Sequence, residues 1–209
     1  LISAVDELLK RNELTDARLR LTVTRGMAEQ DPIHGLRLTP TVFLTAAHCT
    51  TFLEQQGISD VWVTFDSQFT QSSKLIHGTM HSNPLYNQAQ SDTGDIAVIT
   101  LDRAVNNVAP VQLPPAGLLD AMKASGTLNR TLFTSVGYGT QEPQPGPGGI
   151  TNPFPMQRWY SVGEFNALNP SWLRIAQTQA TGDGGTCTRD SGGPQFLGAR
   201  RSKTSRALL

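Results

Sequence analysis

From residue 42 onward the chain alternates short apolar runs with polar or glycine-rich breaks. Strands are expected at VFLTAA (42–47), VWVTFD (61–66), KLIHGTMH (74–81), DIAVITL (95–101), LFTSVGYG (132–139), QRWYSVGEF (157–165) and WLRIAQTQ (172–179). Short strands with turn signals between them predict an all-β sandwich or barrel. Residues 142–155, EPQPGPGGITNPFP, are rich in proline and glycine and are expected to hold no regular hydrogen-bonded structure. Before residue 42 the pattern differs. Residues 3–14 read as a helix, with Ser3 and Asp6 placed as a capping box and Val5, Leu8 and Leu9 on one face. Residues 17–24 alternate, with Leu19, Leu21 and Val23 on one side, and predict a half-buried strand ended by Gly26. No internal repeat is visible.

Composition narrows the class. The chain has 209 residues, 38% hydrophobic and 16% charged, which fits a globular protein with a core and not a disordered one. The length suits one large all-β unit or one to two smaller domains. Basic and acidic residues balance to zero net charge, so charge argues for neither nucleic acid nor an acidic membrane as partner. No apolar run approaches the ~20 residues of a membrane-spanning helix. The opening LISAVDELLKRNEL is not a signal peptide, because Asp6, Glu7, Lys10 and Arg11 interrupt its apolar stretch. A first residue of Leu points to a fragment. The basic stretch 199–209 is expected to be a disordered tail.

Three short motifs carry chemistry. TAAHC (45–49) ends a strand with small residues, which let the backbone turn and leave His48 at the strand's end. DIAVITLD (95–102) begins an apolar strand with Asp95, a position where aspartate is commonly a cap or turn former. CTRDSGGP (187–194) holds Ser191 in a tight, exposed turn, since Gly192 and Gly193 permit close backbone approach. Each is ambiguous alone. Together they supply what serine nucleophilic catalysis needs: a hydroxyl, a base for its proton, and a carboxylate to orient that base.

The order His48, Asp95, Ser191, with TAAHC, DIAV and DSGGP around them, resembles the chymotrypsin/trypsin-like serine peptidases over roughly residues 36–198. VGYGT (136–140) resembles the Gly-aromatic-Gly turn near the start of that family's second barrel. The resemblance implies an all-β fold of two antiparallel β-barrels with the site in the cleft between them. It implies Ser191 as nucleophile, His48 as general base and then acid, and Asp95 as the residue that orients His48. The oxyanion would be held by the backbone N–H groups of Ser191 and Arg189. It implies protein or peptide substrates, no cofactor, no metal, no nucleic-acid or membrane partner, a monomer, and secretion. The expected organisation is a segment of uncertain origin over 1–30, the peptidase domain over 31–198, and the tail.

Several residues depart from the family pattern. Arg189 stands where the family has glycine in the oxyanion loop. Asp190 is neutralised in the family by a free α-amino group, yet no Ile-Val-Gly-Gly segment precedes His48, so a buried Asp190 is expected to be costly and its loop disordered. Cys49 and Cys187 lack their family partners and are expected to be free, partly buried thiols. The family continues with further strands beyond Gln195, Phe196 and Leu197, so the second barrel is expected to be incomplete and C-terminally truncated. Gly185 occupies the pocket position where a carboxylate would select Lys or Arg, which argues against trypsin-like specificity; Asp183 is nearby but out of place. Residues 7–26 resemble a stretch of the branched-chain aminotransferase/aminodeoxychorismate lyase family, without a recognisable cofactor lysine. His34, His77 and His81 form no convincing metal set, since His77 and His81 sit about 13 Å apart along a strand. Asn129-Arg130-Thr131 matches a glycosylation sequon. Two readings stay open: an active serine endopeptidase, or an inactive relative acting at most as a binding module.

Overall fold

In VFLT and AVITL almost every position is apolar, so both faces of these strands need cover. A computed structural model describes residues 20–24, 34–108 and 113–198. The expected helix at 3–14 and the tail at 199–209 lie outside the described residues, as does all of 7–26 except 20–24. The chain divides into two compact units, one formed by the described parts of Leu1–Asp66, Thr70–Ala116 and Ser191–Gly193, the other by those of Ser67–Phe69, Gly117–Asp190 and Pro194–Leu209.

Unit one is an antiparallel barrel. Its strands are β1 (Arg20–Thr24), β2 (His34–Thr39), β3 (Val42–Thr45), β4 (Asp60–Thr64), β5 (Ile76–Ser82) and β6 (Ala97–Leu101). β1 pairs with both β2 and β4, so the sheet closes in the order β1-β2-β3-β6-β5-β4. Closure removes the exposed edges. β3 is buried at every position and β6 at all but Thr100. The core joins Phe43, Val61, Val63, Met80, Ile99, Leu101, Leu53 and Val105. Gly78 lets β5 approach β6, because a Cβ there would meet Ile99 Cγ2 at 2.7 Å and the Thr100 carbonyl at 2.8 Å. Phe43 is fully buried. Phe43→Ala is expected to cost about 3–5 kcal/mol, read as a lower urea midpoint with an unchanged m-value.

The strand expected over 42–47 stops at Thr45, and helix α1 (Ala47–Glu54) follows. Ala47, Thr50 and Leu53 share its buried face. The Thr50 hydroxyl donates to the Ala47 carbonyl at 3.1 Å and meets Ser82 Oγ at 2.5 Å, tying the helix to β5. A helix of two turns with one apolar stripe carries little periodicity to read. β2 was not anticipated either.

Unit two is a four-stranded antiparallel sheet in the order β11-β10-β7-β12. Its strands are β7 (Leu132–Gly137), β10 (Trp159–Leu168), β11 (Leu173–Ile175) and β12 (Gln195–Leu197). Among the described residues this sheet is open. Leu128, Phe133 and Tyr138 are fully buried in it. The expected strand 172–179 is cut to β11, and a 3-10 turn occupies Gln179–Thr181. A second helix, α2 (Leu118–Ala124), buries no residue, which explains why no apolar stripe announced it.

The expectation for 142–155 was wrong in part. β8 (Gln144–Gly146) and β9 (Gly149–Thr151) form a two-stranded hairpin. Pro145 faces Ile150 between the Gln144–Thr151 and Gly146–Gly149 pairs. Antiparallel pairs alternate between bonded and non-bonded positions, so proline at the middle one needs no ladder N–H.

Candidate active site

In unit one, register brings the first two motif residues together. Thr45 of β3 faces Ala97 of β6. His48, three residues past Thr45, therefore lies beside Asp95, two residues before Ala97. His48 donates its backbone N–H to Asp95 Oδ1 at 2.8 Å, and its Nδ1 lies 2.7 Å from Asp95 Oδ2. One carboxylate thus holds both the backbone and the ring of the same histidine, and both side chains remain partly exposed.

The hydrogen bond to Asp95, followed by one to Cys49, raises the His48 pKa to about 10. Burial pushes the Asp95 carboxyl upward, but its hydrogen bonds from His48 outweigh this and leave it below the ordinary value. The pair favours an imidazolium held by a carboxylate. Ser191 is exposed, and Ser191–Gly193 group with this same unit. No hydrogen bond joins Ser191 to His48 among the described residues.

In unit two, Asp190 is 5% exposed. Its Oδ1 accepts the Gly139 N–H at 2.7 Å and its Oδ2 accepts the Cys187 N–H at 2.9 Å. Burial raises its pKa, against the backbone donors of Cys187, Gly139 and Tyr138. The two glycines of VGYGT make room for it. A Cβ on Gly139 would meet Asp190 Oδ1 at 2.6 Å and the Thr188 carbonyl at 2.7 Å, and one on Gly137 would also strike the Asp190 carboxylate. Tyr138 between them is buried.

The next residue of that turn, Thr140, holds the loop from the other side. Its N–H donates to the Thr188 carbonyl at 3.0 Å, and its hydroxyl lies 3.2 Å from the same oxygen and 3.1 Å from Cys187 Sγ. Arg189 follows with φ at 76°, in the left-handed region. That conformation costs a side-chain-bearing residue about 1–2 kcal/mol. The Arg189 guanidinium carbon sits 4.6 Å from the centroid of the Phe154 ring. Such a contact contributes about 0.5–2 kcal/mol, enough to offset much of that cost.

Gly185 is buried, and its carbonyl accepts the Ser161 hydroxyl at 3.1 Å. The Gln177 side chain lies against it, so any Cβ at Gly185 would meet the Gln177 carboxamide at about 2.5 Å. Asp183 is occupied within its own turn, accepting Thr181 Oγ1 at 2.6 Å and the Glu164 N–H at 3.3 Å. Cys49 and Cys187 are free; Cys187 is exposed rather than partly buried.

His77 does not pair with His81. Its Nδ1 lies 2.6 Å from Asp102 Oδ2, its Nε2 3.3 Å from Asp60 Oδ1, and Trp62 meets its ring edge-on. Among the described residues no group of three metal-binding side chains exists. No helix of the described residues is long and apolar enough to cross a membrane. Thr140, Phe154 and Gln177 were not foreseen as neighbours of Thr188, Arg189 and Gly185. Only Thr140 had a signal, as the last residue of VGYGT.

An antiparallel β-barrel with this His–Asp arrangement belongs to a known class. A family model described as Trypsin matches residues 34–201, and the chain belongs to this family of trypsin-like serine peptidases. No curated protein matches the chain. The resemblance of residues 7–26 to the aminotransferase family is not supported, since the family match begins after them.

Proposed function

We propose that the chain is a serine endopeptidase whose catalytic residues are Ser191, His48 and Asp95. The observation that carries this reading is the double hold of Asp95 on His48, at the backbone N–H and at Nδ1. In the neutral ring a carboxylate on Nδ1 keeps the proton there and leaves Nε2 as the acceptor, the form a general base requires. Ser191 Oγ forms a bond to the scissile carbonyl carbon while its proton passes to His48 Nε2. The C–N bond then breaks, and His48 returns the proton to the departing amine. Water, activated by His48, next cleaves the Ser191 ester and releases the acid. The N–H groups of Arg189 and Ser191 would receive the oxyanion. No Ser191–His48 hydrogen bond is present among the described residues, and such bonds commonly tighten only with substrate bound. The substrates are proteins or peptides, and the chain acts as a secreted monomer without cofactor or metal.

One observation favours the second reading, an inactive relative. Arg189 puts a side chain and a left-handed backbone where the family has glycine. A fluorophosphonate probe separates the two. Stoichiometric labelling at Ser191, lost in Ser191→Ala, is expected. A folded wild-type sample that takes no label would remove the peptidase reading.

A further inference from the structure

The peptide between Thr188 and Arg189 is gripped at two points. Thr140 donates its N–H to the Thr188 carbonyl at 3.0 Å, with its hydroxyl 3.2 Å from the same oxygen. In a trans peptide the carbonyl and the following N–H point in opposite directions, so the Arg189 N–H is turned away from Thr140. The orientation of that peptide is set jointly by ψ of Thr188 and φ of Arg189. The latter stands at 76°, a conformation that costs a residue other than glycine about 1–2 kcal/mol.

One contact that helps hold it there is in the proline-rich segment. Phe154, partly buried, presents its ring to the Arg189 guanidinium at 4.6 Å. This segment is anchored independently: the Gln141 N–H donates to the Pro153 carbonyl at 2.8 Å, and Phe69 N–H to the Met156 carbonyl at 2.9 Å. Phe154 therefore sits between two backbone bonds, on a platform that does not depend on Arg189.

We propose that Phe154 is a positioning residue for the oxyanion donor, clamping the Arg189 side chain so that the Thr188–Arg189 peptide keeps the orientation Thr140 selects from its other end. This rests on the peptidase reading above. It gives the departure from glycine a mechanical consequence. Glycine adopts this φ at no steric cost, whereas for arginine the ring contact helps offset about 1–2 kcal/mol. The clamp acts on the transition state only, because the oxyanion forms only there.

A double-mutant cycle with rescue tests this in the full chain. Phe154→Leu is expected to lower kcat about 3- to 10-fold with KM little changed, as loss of a contact of this size implies. Phe154→Trp, which keeps an aromatic face for the guanidinium, is expected to restore kcat. In an Arg189→Gly background, Phe154→Leu is expected to leave kcat unchanged. If Phe154→Leu lowers kcat equally in both backgrounds, or if Phe154→Leu raises KM instead of lowering kcat, the clamp is wrong. A wild-type chain that takes no fluorophosphonate label overturns the peptidase reading itself, and the positioning role with it. A labelled wild type with additive mutants overturns the clamp alone.

Discussion

Asp95→Asn is expected to lower kcat about 10⁴-fold, the loss this change produces in the type enzymes of the Ser-His-Asp arrangement. Asn presents its NH₂ or its carbonyl where Asp95 Oδ2 now lies 2.7 Å from His48 Nδ1. Its other end must still accept the His48 backbone N–H, now 2.8 Å from Oδ1. Asn can serve that N–H only with its oxygen, which turns its NH₂ toward Nδ1. The ring then answers by carrying its proton on Nε2, and the base is lost. Ser191→Ala in the same assay sets the floor, and Asp95→Asn should remain above it. Equal activity of Asp95→Asn and wild type would remove Asp95 from the mechanism.

The same pair sets a pH dependence. His48 must be neutral to accept the Ser191 proton, and its pKa is raised from 6.5 to about 10, chiefly by Asp95. The rate of fluorophosphonate labelling in the wild type is therefore expected to rise with pH through a midpoint well above 6.5. Histidine NMR titration should show the midpoint falling toward 6.5 in Asp95→Asn. For stability the sign follows from the folded pKa lying above the unfolded one. The pair's contribution is fully present below pH 6.5 and is lost as pH rises through about 10. Asp95 is shifted the other way, below its ordinary 3.8, so its share is present above that pH and lost on acidification. The gap in Tm between wild type and Asp95→Asn should be widest between about pH 4 and 6.5.

Gly139→Ala is expected to be strongly destabilising in unit two. The new Cβ would meet the Asp190 carboxylate and the Thr188 carbonyl, both within 2.7 Å. One of these neighbours is backbone, which cannot swing aside. Asp190 would have to leave its seat and give up the Gly139 N–H. Overpacking costs about 1–3 kcal/mol, and a buried polar group stripped of its partner about 1–3 kcal/mol. A loss of roughly 2–6 kcal/mol in urea unfolding is expected, together with loss of Ser191 labelling. Gly148→Ala is the control, since nothing lies within 4 Å of a Cβ there. Equal stability of the two variants would show that Asp190 is not held as described.

Much of unit one was legible because its strands are either apolar runs, as in β3 and β6, or alternate between buried and partly buried positions, as in β5. β3, β4, β5 and β6 fall within one or two residues of the expected segments, and only α1 and β2 were missed. Unit two was less legible. Its long strand β10 runs three residues past the expected end, through a register shift between Phe165 and Ala167. Bulges have no hydrophobic signature. The hairpin in the proline-rich segment was missed because proline content reports a lost donor, and not whether the ladder needs that donor.

His48, Asp95 and Ser191 stood out as candidates from local motifs alone, because side-chain chemistry and flanking glycines are properties of short segments. Membership of the trypsin family follows from the same kind of signal, spread over residues 34–201. The tertiary structure decided what surrounds them. Asp190, expected to be costly without a cation, is held by backbone N–H groups of Gly139 and Cys187. Arg189, which stands where the family has glycine, lies over Phe154. The Asp190–Gly139 and Arg189–Phe154 contacts join residues more than thirty positions apart, and pairings of that kind depend on strand register and loop closure, which no local pattern encodes.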